Sequence, residues 1–157
     1  QIFIINQKGW TMDMLGSSYV FLGIFSIIGL IFGGPIIDKH NTKKIILFAL
    51  LPLFLGVLTL IFFDSYYSML VYMSLLGLNL GISPSFIGSL WAELYGLESL
   101  GSVKALLHAC GVFASALSPV IFGYIIDAGF GIIAISVISL TIIIVSTLLP
   151  IFYKHIE

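Results

Sequence analysis

Charge is what this chain most lacks. Of its 157 residues only 8% are charged, against roughly 25% in soluble domains, so a water-facing surface cannot be built from them. No arginine occurs, and the six lysines stand against seven carboxylates for a net charge of −1. That balance offers nucleic acid or an acidic surface no electrostatic attraction, so neither is an expected partner. Cysteine is almost as scarce. Cys110 alone cannot close an internal disulfide, and with no Cys or His cluster neither a structural metal nor any other cofactor is implied. The opening QIFIINQKGW has neither an initiator methionine nor the basic start of a signal peptide. It reads as a piece of a longer protein.

What the chain has is hydrocarbon: 60% hydrophobic residues and a mean hydropathy of +1.21. Lipid is the expected solvent. Charge-free runs cover 14–37, 45–63, 65–92, 105–126 and 128–153, each long enough for a bilayer core that takes about 20 helical residues. The runs are continuously apolar, whereas lipid-facing strands would alternate and last about ten residues. The fold expected is therefore all-α, a polytopic membrane bundle in one domain. Five transmembrane helices are expected at about 14–37, 44–63, 66–92, 102–126 and 130–152.

An odd number of crossings puts the chain ends on opposite sides, and the lysines choose between them. Lys39, Lys43, Lys44, Lys104 and Lys154 share one side, while Lys8 is alone on the other. The excess of cationic residues on cytoplasmic loops places the C-terminus and the 38–44 turn inside.

That turn, within GGPIIDKHNTKK at 33–44, concentrates four of the thirteen charges. Gly34, with Gly33 and Gly29, lets another helix approach backbone to backbone. Asp38 can accept from the exposed N–H groups of a neighbouring helix terminus. Asn41 tolerates a left-handed turn conformation, and Lys39, Lys43 and Lys44 hold the topology.

Polar residues inside the spans are the candidate site. Asn79, Ser83 and Ser85 surround Pro84, which leaves the Leu80 carbonyl without its helical donor and predicts a kink. Gly77, Gly81, Ser85 and Gly88 form a small-residue stripe of the kind that marks close helix packing. Asn79 needs a partner near mid-membrane, either a neighbouring helix or a solute. On the next span Lys104, His108, Gly111, Ser115 and Ser118 recur every three or four residues and so share a face. Lys104 is expected to snorkel to the cytoplasmic interface. His108 lies about 6 Å deeper by the helical rise, and histidine as a residue type can exchange protons near neutral pH. Ser26 shares a face with Tyr19, Gly23, Leu30 and Gly33 that can border a cavity, and Glu93 is a gate-side charge. Trp91 and Tyr95 read as interface anchors.

The segment Gly34-Pro-Ile-Ile-Asp38-Lys39-His-Asn41-Thr-Lys43 resembles the cytoplasmic signature loop of the major facilitator superfamily, with Asn41 where the turn glycine usually stands and Thr42 where a basic residue is common. Pro119-Val-Ile-Phe-Gly123-Tyr-Ile-Ile-Asp127 is similar to the ending of helix eleven in bacterial members. The resemblance implies the C-terminal half of a transporter, from the end of helix seven through helix twelve, in a bacterial inner membrane. It also implies that Asp38 latches the two halves on the cytoplasmic side. Function then follows as alternating-access transport of a small solute, with proton symport through His108 and with an N-terminal half as partner. The alternative is a non-transporting membrane subunit or truncated product acting through helix association. An intramembrane enzyme fares worse, because no paired carboxylates or His cluster lie within the spans.

Overall fold

A computed structural model of the protein describes residues 2–39, 50–96 and 98–153. Among the described residues every regular element is an α-helix: α1 Ile2–Lys8, α2 Met12–Lys39, α3 Leu51–Phe62, α4 Tyr66–Tyr95, α5 Leu100–Asp127 and α6 Ile132–Tyr153. Apolar stretches of 25, 28, 28 and 18 residues in α2, α4, α5 and α6 are each long enough to cross a bilayer. The all-α polytopic bundle expected from composition is what forms. Of the crossing expected over 44–63, the described part is α3, 12 residues long; positions 44–49 lie outside the described residues.

Backbone chemistry sets the helix ends. α1 stops at Gly9 (φ 67°) and α5 is followed by Gly129 (φ 84°), a left-handed conformation in which glycine has no Cβ to clash. In both cases the following amide reaches back five residues, Trp10 N–H to the Ile5 carbonyl at 3.0 Å and Phe130 N–H to the Ile125 carbonyl at 3.2 Å, the bond of a Schellman cap. Ser65 opens α4 by accepting from the Tyr67 N–H at 3.3 Å, which satisfies one of the four orphan amides of a helix start.

The tightest packing joins α2 to α4. A Cβ built on Gly29 would lie 2.7 Å from the Leu78 carbonyl and 3.1 Å from the Gly81 Cα, and one on Gly33 would lie 3.3 Å from the Ile82 Cα. Reciprocally, Gly77 sits on the Leu22 backbone and Gly81 on that of Ser26. Partners rise together along both helices, so α2 and α4 run parallel, and α3 packs on α4 and α6. Gly34 departs from the expected role, since nothing lies within 4 Å of its Cβ position. One residue's offset accounts for this: Gly29 and Gly33 are four apart and share the contact face, whereas Gly34 is rotated about 100° from Gly33. Around this pair the core is closed by Met69 and Met73 of α4, Val57 and Leu60 of α3, Ile143 of α6 and Ile5 of α1, all buried.

The turns gather at two ends. Residues 8–11, 63–65 and 128–131 meet at one end, because Lys8 reaches Asp64 and Gln7 reaches Ile132. Gly96, Glu98 and Ser99, between α4 and α5, lie at the other. α5 differs from every other long helix in having no buried residue; it packs chiefly against α4.

Candidate functional site

The second half of α4 and the first half of α5 flank a half-open cleft of about 590 Å³, whose α5 lining residues are all exposed. Its α4 wall is Pro84, Ile87, Gly88 and Trp91, positions three or four apart that a helix stacks on one face. Its α5 wall carries Lys104, His108, Gly111 and Ser115 in the same register, flanked by Leu107 and Val112. The Lys104 ammonium reaches across to the α4 wall: its Nζ lies 3.9 Å from where a Gly88 Cβ would be, ordinary van der Waals contact. Ser115 Oγ donates to the Val112 carbonyl at 2.8 Å, which leaves the hydroxyl free to accept. Trp91 closes the end nearest the α4–α5 turn, its ring centroid 5.7 Å from that of Tyr95. A half-open cleft with mostly apolar walls and a few convergent polar groups is the usual form of a small-molecule site.

Of the residues singled out from sequence, the structure brings Lys104, His108 and Ser115 into this cleft. Asn79 and Ser83 do not line it. Ser83 Oγ donates to the Asn79 carbonyl at 2.6 Å within α4, while Asn79 is buried on the side of α4 that also carries Leu75 and Tyr72, the neighbours of Gly56 in α3. Ser26 belongs to the α2–α4 contact, its carbonyl lying against Gly81. Glu93 and Lys39 are exposed. The Asp38 side chain, Asn41, Lys43 and Lys44 fall outside the described residues, as does Lys154.

Two features escaped the sequence reading. Pro84, Gly88 and Trp91 line the cleft, although Gly88 read as packing and Trp91 as an anchor; their spacing of four and three matches that of the α5 face and was the available signal. The other is a cluster at the opposite end. Lys8 Nζ donates to the Asp64 carboxylate at 2.6 Å and to the Phe63 carbonyl at 2.8 Å, and it lies 5.6 Å from the Trp10 ring centroid. Trp10 Nε1 donates to the Asp64 carbonyl at 3.2 Å, and Gln7 Oε1 accepts from the Ile132 N–H at 2.6 Å.

With that architecture in view, comparison decides the family: residues 1–157, the whole chain, match the Major Facilitator Superfamily. The chain belongs to that superfamily. Its apolar helices and this membership together make it an integral membrane protein. Similarity also extends to a D-xylose transporter of Levilactobacillus brevis, 25% identical over 124 residues, which is 79% of this chain and 24% of that protein. The superfamily chain thus spans about a quarter of the length of the curated relative it matches. No solved structure matches it.

Proposed function

We propose that this superfamily chain is the C-terminal half of a secondary transporter that moves a small solute across a bacterial inner membrane by alternating access. The observation carrying the reading is the α4–α5 cleft, where Lys104, His108 and Ser115 converge between helices that are otherwise apolar. Polar and ionisable groups are costly inside a bilayer and mark solute or proton pathways where they occur. Rocking needs a second bundle, and α5, with no buried residue, is the helix with most surface to give to one. Asp38 would latch the two halves on the cytoplasmic side, and His108 would carry the coupling proton.

Uptake into proteoliposomes tests this. The chain alone should not transport, and the chain continuous with the coding sequence upstream of Gln1 should. In the longer protein, His108→Ala should abolish proton-driven uptake while leaving membrane insertion intact. Transport by the chain alone would refute the two-bundle account; an unchanged pH dependence in His108→Ala would remove His108 from the pathway.

A further inference from the structure

We propose that the α4–α5 cleft takes a small carboxylate with an apolar body, held by Lys104 and His108; this rests on reading the cleft as the solute site. The charge inventory carries it. Both titratable groups on the walls are basic, and no Asp or Glu lines the cleft. Glu93 and Glu98, the acids nearest in sequence, are exposed, and neither makes an ion pair with Lys104 among the described residues. Lys104 and His108 are four apart on one helix face, so one ligand anion can reach the ammonium and the imidazole together. The Lys104 ammonium is exposed on the cleft wall and has no carboxylate partner among the described residues, so it is open to an anion from outside. A bound carboxylate supplies that partner.

The remaining chemistry narrows the class. Without a guanidinium the cleft has no planar fork of the kind that grips phosphate bidentately, whereas a single ammonium beside an imidazole suits a singly charged carboxylate. Ile87, Trp91 and Val112 offer an apolar seat for the rest of the ligand. A neutral sugar needs hydrogen-bonding groups around its ring, and on the α4 wall only the Trp91 indole has one.

Both walls belong to this chain, so binding is tested with the chain as it is, in nanodiscs, using radiolabelled benzoate, its neutral isostere benzamide, and D-xylose. Saturable benzoate binding is expected, with benzamide at least about tenfold weaker, as for loss of a charge-assisted hydrogen bond. Lys104→Gln should weaken benzoate by about tenfold and leave benzamide unchanged, while Lys104→Arg keeps benzoate within about threefold. Should Lys104→Gln fail to insert, the benzoate-to-benzamide ratio in the native chain and in His108→Gln carries the test. Equal affinity for benzoate and benzamide overturns the inference. Saturable D-xylose binding without benzoate binding also overturns it and leaves the transport reading standing, whereas saturable binding of none of the three overturns the inference and the cleft's role as a solute site together.

Discussion

At the level of single residues, the glycines of α4 divide the helix between two tasks. A Cβ on Gly81 would overlap the Ser26 carbonyl and lie 2.8 Å from the Leu30 nitrogen and 2.9 Å from the Gly29 Cα, all backbone atoms that cannot swing aside. Gly81→Ala should therefore force α2 and α4 apart. Overpacking of this kind costs about 1–3 kcal/mol, more than the 0.5–1 kcal/mol or so that alanine gains over glycine inside a helix. Gly34→Ala, with open space at its Cβ, should be neutral or slightly stabilising. Thermal unfolding in detergent compares the two, and equal midpoints would show that the backbone contact does not limit stability. The stripe of small residues was legible as a packing surface. That Gly88 faces Lys104 of α5 and not α2 was not, because periodicity gives the face of a helix and not the neighbour that comes to it.

Among the elements, α1 matters beyond its seven residues. Lys8 and Gln7, on its last turn, tie it to the α3–α4 turn and to the first turn of α6, and Ile5 is buried beneath them. The ion pair is lopsided, since the Lys8 side chain is 5% exposed and that of Asp64 92%. Removing either partner therefore has unequal effects. Asp64→Ala leaves a buried ammonium with only the Phe63 carbonyl and the Trp10 ring and should cost about 1–3 kcal/mol, the range for an under-satisfied buried donor. Lys8→Met keeps the apolar stem packed and leaves a carboxylate already in water, so it should cost less. Chemical denaturation of the two variants side by side checks the order; a larger loss for Lys8→Met would contradict it. None of this was legible in the sequence, where Lys8 counted only as a lone cation on its side of the membrane.

Across the whole molecule, the grouping of turns at two ends makes the topology testable. With Cys110 replaced by alanine, a cysteine at Ser99 between α4 and α5 and another at Ala128 after α5 should label from opposite sides of intact cells. Ser99→Cys should be reached only after a membrane-permeant reagent is used, and Ala128→Cys by an impermeant one. The reverse pattern would invert the lysine-based orientation and with it the cytoplasmic placement of Asp38.

The number and length of the hydrocarbon runs, and the helical state of the chain within lipid, follow from composition alone. A bilayer leaves a backbone no partner but its own, and apolar stretches of 18 to 28 residues satisfy it as helices. The shared face of Lys104, His108 and Ser115 is equally a matter of 3.6-residue periodicity. Which residues oppose that face, and that Asn79 and Ser26 turn to other helices instead, was decided by tertiary packing. The physical reason is that glycine-to-backbone contact at Gly29, Gly77 and Gly81 fixes how α4 is rotated against α2, and that rotation alone selects what α4 presents to α5.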